Sequence, residues 1–484
     1  MSLSTALSIA QSALMNTARQ TSVVSRNVAD ASNPDYSRRQ AVVTSTAPGA
    51  RSVDIQRAAN ELLFRQNLGA LSAWSGQNAL YSGMDQLGVA VNGVDNASSP
   101  STAIANLQQA LQLYATSPSN QNLGASVIDA AKQVVRSLNE GSKAVQDFRT
   151  QTDSQIATAV DDLNSLLGQF QDANTAVMSG TRSGTDVSDA LDQRDALLKK
   201  ISNYVPVSTF TRGDNDMVIT TGDGTTLFET IPRTVTFAAS AGYTAGAAGN
   251  AVYIDNVPIS AGAGGNTSAS GTLAGLLQLR DGVASTMQSQ LDETARGLIT
   301  AFAETAPSMA NAAGLFTWSG APAVPAAGTL VTGLAASISV NAAMDPSTGG
   351  NPTLLRDGGA NGAAYVANTG GGASYSTLLV AYGDRLDQPM TFDPAAGVSA
   401  TSSVSDYAAN SIGWFEGVRQ QASTASDAKE ALASRSAEAL SNATGVNVDQ
   451  EMSLLLDLEH TYQASARMMK TVDDMMTALL NAVG

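Results

Sequence analysis

The sequence predicts a mainly α-helical fold with a β-rich insert, in a nested order. A terminal-helix coiled coil joins the two ends, a long-helix bundle lies inside it, and the β domain is inserted in the middle. Three observations carry this reading. From Leu455 the last stretch repeats apolar or small residues at spacings of three and four: Leu455, Leu458, Tyr462, Ser465, Met469, Val472, Met476 and Leu479. The first stretch does the same through Leu3, Leu7, Ala10, Leu14, Thr17, Thr21, Val24, Val28 and Ala31. At Val205 the pattern shifts to short alternating runs separated by turn residues, and helical spacing returns at Thr272. Leu454, Met468, Met475 and Leu480 flank the last seam and make its apolar face wider than one partner helix needs. The expectation is that the two termini pair and that the surplus face serves neighbouring copies of the protein.

Taken in order, residues 1–31 read as one helix of about 45 Å. Asn33-Pro34-Asp35 ends it, because proline excludes helix from the residue before it. Tyr36 to Thr46 reads as extended chain and Pro48-Gly49 as a turn. A second helix is expected from Gln56 to Leu87, a loop from Asn92 to Pro100, and a shorter helix through Leu107, Leu111 and Tyr114. Gln121 to Met178 reads as one very long helix, bent near Thr150, followed by another from Val187 to Ile201. Strands are expected at Met217–Thr221, Thr225–Phe228, Ile231–Phe237 and Val252–Ile259, with Gly222-Asp223-Gly224 and Asp255-Asn256 as turns. Gly262 to Gly271 is a connector, and helix runs again from Thr272 to Thr305. Residues 306–402 are poor in charge and rich in Gly, Ala and Pro. They read as loop with short strands at Leu315–Trp318 and Ala336–Val340. A long helix from Val404 to Leu440 precedes the last one. The domains expected are residues 1–50 with 441–484, residues 51–204 with 272–305 and 403–440, residues 205–271, and residues 306–402 associated with the insert.

Composition excludes several functions. A formal charge of −16 argues against nucleic acid as a partner. The absence of cysteine removes disulfides and thiolate metal sites, and a single histidine, His460, removes a histidine-built metal centre. No stretch of about 18 apolar residues is present, so no membrane insertion is expected. No cofactor motif and no catalytic constellation is visible, so an enzyme is not expected. A secretory signal peptide is not expected either, since the first basic residue is Arg19.

The segment Asn27-Val28-Ala29-Asp30-Ala31-Ser32-Asn33-Pro34-Asp35-Tyr36-Ser37-Arg38-Arg39-Gln40 resembles the N-terminal signature of bacterial flagellar axial proteins. Gly445-Val446-Asn447-Val448-Asp449-Gln450-Glu451-Met452, continuing through Tyr462-Gln463-Ala464, looks like the matching C-terminal signature. Leu191-Asp192-Gln193-Arg194-Asp195 and Leu276-Leu277-Gln278-Leu279-Arg280-Asp281, either side of a β-rich insert, resemble the hook-associated members that join hook to filament. Asp30, Asn33 and Asp35 depart from the usual residues of the N-terminal signature. The resemblance implies a secreted structural protein at the hook–filament junction, exported uncleaved by the flagellar type III route. It implies a ring of about eleven copies, contacts with the hook protein, with a second junction protein and with the filament, and an export chaperone on the C-terminal helix. The alternatives are a hook or distal-rod protein, which shares both terminal signatures but has a mostly β middle, and then flagellin, whose N-terminal signature is missing.

Three sets of residues are candidates for these roles. The seams assign subunit interaction to Leu3, Leu7, Leu14, Val24 and Val28 and to Leu455, Leu458, Tyr462, Met469, Met476 and Leu479. In a generic chain such seams would more often be ordinary internal core; the paired N-terminal spacing and the two signatures turn the balance toward subunit interaction. The signature places Tyr36 and Arg38 in an exposed contact motif, against the plainer reading of a turn tyrosine and a solvated arginine. Arg194 and Arg280 each fall on the apolar seam of a helix, where a charge needs a partner. Buried structural ion pairs are expected at both, against snorkelling to the surface.

Overall fold

The computed structural model describes residues 3–46 and 50–483; the expected Pro48-Gly49 turn and the side chain of Leu3 lie outside the described residues. Helix α1 (Leu3–Ala29) ends where the sequence turns to Asn33-Pro34. Strands β1 (Arg39–Thr46) and β2 (Ala50–Arg57) form an antiparallel hairpin that closes with Arg39 opposite Arg57. Residues 56–60 are therefore not helical as expected. Helix α2 (Glu61–Asn92) begins at an Asn60 cap, whose side-chain oxygen accepts from the Leu63 N–H at 3.1 Å. Helices α3 (Pro100–Thr116), α4 (Gln121–Ser183) and α5 (Ser188–Tyr204) follow.

Helix α4 is the mounting rail of the molecule. Its 63 residues span about 95 Å, and it runs uninterrupted through Thr150, where a bend was expected. Segments of residues 205–340 attach along it in the reverse of chain order. Asn139 donates to the Ala335 carbonyl at 2.6 Å. Arg149 donates to the Ala247 carbonyl at 2.6 Å. Asn164 holds the Val235 backbone at both its N–H and its carbonyl, and Asn174 donates to Asp216 at 2.8 Å.

The insert consists of two small antiparallel sheets. Strands β3 (Val207–Thr211), β4 (Met217–Thr221), β5 (Thr226–Glu229) and β6 (Ile231–Pro232) form one in that order. Strands β7 (Val235–Thr236), β8 (Tyr253–Ile254) and β9 (Val257–Pro258) form the other. The β8–β9 turn is Asp255-Asn256, both at positive φ as a two-residue hairpin turn requires. Helix returns as α6 (Thr272–Leu277), passes through a π-helical turn at Gln278–Val283 and continues as α7 (Ala284–Ala301).

Residues 306–402 are ordered against these helices and contain more structure than expected. Strands β10 (Phe316–Thr317) and β11 (Ser339–Val340) pair, preceded by α8 (Leu334–Ser337). Helices α9 (Leu354–Asp357) and α10 (Thr377–Asp387) and a ladder of β12 (Met390–Thr391) with β13 (Thr401–Ser402) complete it. Phe302 anchors the region between Phe316 and Tyr382, with ring centroids at 5.2 and 5.1 Å.

Helix α11 (Val404–Thr444) runs back antiparallel to α2. Phe415 lies over Gly88, Gln77 donates to the Ala422 carbonyl, and Asn67 donates to Ser436. Helix α12 (Val448–Val483) then lies along α1. The α2–α6 crossing is close because it is made by glycines: a Cβ on Gly275 would sit 2.4 Å from the Gly76 carbonyl oxygen, and one on Gly76 would sit 2.9 Å from the Gly271 oxygen. Among the described residues no helix is long and apolar enough to cross a membrane.

Asp292 on α7 is buried and accepts from the Gly333 and Ala335 N–H groups, both at 2.8 Å, and from Gln288. Burial pushes its carboxyl up from 3.8 to about 6, against the pull of those donors.

Two outcomes follow for stability. The Asp292 carboxyl ionises more readily in the unfolded chain, so its contribution is complete below about pH 4 and is lost as pH rises through about 6. Asp292→Asn should therefore gain relative to the parent, by about 1–3 kcal/mol, between pH 4.5 and 7.5 in urea-unfolding midpoints. Gly76→Ala meets backbone, which has no rotamer to yield, and should cost about 1–3 kcal/mol in the same measurement.

Candidate assembly interface

The two terminal helices run antiparallel, since Asn27 near the end of α1 meets Glu451 near the start of α12. On α1, Ala10, Thr17 and Val24 are buried, and Leu7, Leu14 and Val28 are half-buried. On α12, Leu458 and Ser465 are buried, while Leu455, Met469, Val472 and Met476 are half-buried. Tyr462 and Leu479 carry the seam spacing but point outward, as do Leu454, Met468, Met475 and Leu480. One helix cannot cover both flanks of α12. The outcome is an apolar stripe along a terminal helix whose packed helical neighbour among the described residues, α1, is already engaged on the other side.

At the root of this pair the chain builds a polar clamp from three distant segments. Glu451 is fully buried and accepts from Arg38 Nε at 2.6 Å and from Asn27 Nδ2 at 3.0 Å. Asn27 also donates to the Arg39 carbonyl at 2.8 Å. Its amide oxygen accepts from the Arg39 N–H at 3.0 Å and the Tyr36 hydroxyl at 2.8 Å. The Arg38 N–H donates to the Thr444 carbonyl at 2.7 Å, tying the signature to the end of α11. Arg39, also buried, donates to Asp189 and Asp192 on α5 at 2.7 and 2.8 Å and lies 4.3 Å from the Tyr36 ring centroid. Arg57 from the other strand donates to Asp192 at 2.6 Å and Asp195 at 2.5 Å. Burial would lower the Arg57 guanidinium, but Asp195 and Asp192 hold it above its usual value. Burial likewise lifts the Asp192 carboxyl above the usual carboxylate range, against the pull of Arg57 and Arg39. The spacing of three places Asp189, Asp192 and Asp195 on one stretch of α5 facing the hairpin.

Two of the expected sites are corrected. Tyr36 is not an exposed contact residue: it is buried, and its hydroxyl is committed to Asn27, which leaves the ring to cover Arg39. Arg38 is partly covered and spends its Nε on Glu451 within the chain. Arg194 does not form an ion pair. Among the described residues no carboxylate comes within pairing distance. Its guanidinium donates instead to the Asn215 carbonyl at 2.7 Å and the Asn174 amide oxygen at 3.1 Å, and burial lowers its pKa.

Arg280 does sit in a buried ion pair. It donates to Asp153 on α4 at 2.5 Å, to Asp281 at 2.6 Å and to the Asn250 carbonyl of the insert at 2.7 Å. Tyr243 of the insert donates to the same Asp153 at 2.7 Å and stacks on Arg149. The π-helical turn at Gln278–Val283 carries Arg280 and Asp281 at this junction.

Sequence reasoning named the stretches that form the clamp but gave no role to Asn27, Arg39, Arg57, Asp189, Asp192, Asp195 or Glu451. The usable signal was the run of three aspartates at helical spacing beside an arginine-flanked hairpin. His460 is exposed on α12, outside the clamp.

A family model described as the flagellar hook-associated protein FlgK helical domain matches residues 85–308. A second, described as the flagellar basal body rod FlgEFG protein C-terminal, matches residues 439–482. The chain is 23% identical over 399 residues to flagellar hook-associated protein 1 of Bacillus subtilis (strain 168), covering 77% of this chain and 74% of that protein. Its fold is similar to that of the flagellar hook junction protein FlgK from Burkholderia pseudomallei. There the TM-score is 0.57 at 14% identity, over 78% of this chain and 99% of the other.

Removing Asp192 leaves Arg57 and the buried Arg39 short of their shared partner, so Asp192→Ala should cost about 3–5 kcal/mol. Asp189 is largely exposed, and Asp189→Ala should stay within about 1 kcal/mol. Chemical unfolding of the two variants side by side reads this difference.

Proposed function

The chain belongs to the FlgK family of flagellar hook-associated proteins, and from this premise we propose that it is a junction piece that assembles through its terminal helices. It is a structural component of the flagellum, and no catalytic step enters the reading. The α1–α12 pairs of neighbouring copies line up side by side in a closed ring, at the count of about eleven that the family implies. The observation that carries this is the stripe of Leu454, Met468, Met475, Leu479 and Leu480, left open on α12 after α1 has covered its own side. An apolar face of that kind marks an interaction surface.

The division of labour proposed for the domains follows from the attachments to α4. Residues 1–50 and 441–484 form the inner wall. The long helices form the shell around it, and residues 205–271 with 306–402 project outward. One end of the ring meets the hook protein, and the other meets the second junction protein and, through it, the filament. Before assembly an export chaperone covers the α12 stripe, and the protein leaves by the flagellar type III route without cleavage.

A hook or distal-rod role is the second reading. It is favoured by one observation, the rod-type C-terminal match at residues 439–482. The long helices of residues 85–308 and their helical-domain match weigh on the side of the junction.

Electron microscopy of a deletion strain separates the two. Hooks without filaments, with flagellin shed into the medium, are expected for the junction, whereas missing hooks would transfer the protein to the rod or hook. Complementation with Met468→Asp and Met475→Asp together should leave the filaments absent, through lost assembly, lost chaperone binding or both. Normal filaments in that strain would remove the stripe from the assembly surface.

A further inference from the structure

Burial along the terminal pair is uneven. On the inward side of α12, Glu451, Leu458 and Ser465 are buried, whereas beyond Ser465 the seam residues Met469, Val472 and Met476 are only half-buried. On α1, Val23, Val24 and Asn27 are buried close to the root. Farther out the buried positions are Ala10, Asn16 and Thr17, Leu7 is half-buried and Ile9 is exposed. Ordering a residue costs about 1–2 kcal/mol of backbone entropy, and apolar burial returns about 25 cal/mol per Å². The outer turns of one isolated pair bury too little to meet that cost.

The root stands differently. Helix formation is expensive at its first turn and inexpensive afterwards. Here the two turns at the root, the last of α1 and the first of α12, are held from outside the helices. Asn27 is fixed by Arg39 and Tyr36, Glu451 by Arg38, and Arg39 by the aspartates of α5. The antiparallel packing of α2 on α11 has already brought the two chain ends together, so little loop-closure entropy remains to be met. A fully buried carboxylate also tolerates one partner arrangement, while a heptad seam repeats itself every seven residues and permits slippage.

We infer that Asn27 and Glu451 are the positioning residues of a preformed nucleus, from which the two terminal helices order outward. In the free protein residues 22–29 and 448–458 are already folded against the bundle in a single register. The outer turns of both helices order onto this nucleus when a second copy covers the α12 stripe; that last step rests on the ring reading, and the nucleus does not.

Hydrogen–deuterium exchange on the free full-length protein tests the nucleus without any assembly. Amides of residues 22–29 and 448–458 should exchange at least about tenfold more slowly than those of residues 5–15 and 470–482. In Asn27→Ala and in Glu451→Ala the root should lose that advantage, while protection along α4 stays as in the parent. Arg38→Ala removes one donor from Glu451 at a partly exposed position and should give a smaller loss in the same residues, which covers the case of a variant that unfolds throughout. Uniform exchange along both helices, or root protection that survives in all three variants, would overturn the inference. Either result would leave the microscopy of the deletion strain untouched, and a wrong junction assignment would leave the exchange pattern untouched.

Discussion

A carboxylate taken out of water has to be met by hydrogen-bond donors, and Glu451 draws its donors from the other end of the chain. That single requirement joins the end of α1, the following turn and the start of α12. The donors are themselves held: Asn27 by the backbone of Arg39, and Arg39 by Asp189 and Asp192 on α5. Three stretches that stand far apart in the sequence and look like separate motifs are thus one physical object. Their spacing reflects where the fold brings them, and none of them would have its partners in isolation. The Arg280–Asp153 pair repeats the principle at the middle of α4, where it ties the insert to that helix.

The long helices were legible because their burial is one-sided. Val127, Val134, Leu138, Val145, Ile156, Leu163, Leu167 and Phe170 on α4 are all buried at helical intervals, and the spacing exposes them in the bare sequence. The paired terminal seams and the turn at Asp255-Asn256 were legible for the same reason, since local spacing or local turn chemistry decided them. Strand β2 was not. Its residues alternate charge and apolar character and precede a strongly helical run, and only the Asn60 cap marks where the change occurs. Helix α10 was missed because it is only 11 residues long and follows the glycine run at residues 370–372.

The site was legible in place but not in role. The spacing located the motifs, while the roles of their residues depend on contacts hundreds of positions away. Tyr36 looked like a contact residue because it lies in a signature; the fold places it against Asn27 and Arg39 instead. Arg194 looked like half of an ion pair because it lies on an apolar seam. The side-chain amide of Asn174 and the carbonyl of Asn215 supply acceptors there without a second charge, which avoids the desolvation of a carboxylate. A guanidinium's need for acceptors can be read from a sequence, but the chemical identity of the acceptor cannot.

The length of α4 has a mechanical consequence. An unbroken helix of 63 residues spans about 95 Å and can act as a lever arm. The clamp grips α5 just beyond one tip of that arm, and residues 306–402 are fastened near the other. Tilting the gripped end by a few degrees would swing the distant tip by several ångströms, and the segments fastened along α4 would move with it. Small rotations at the clamp would therefore reach residues 306–402 as a coordinated displacement.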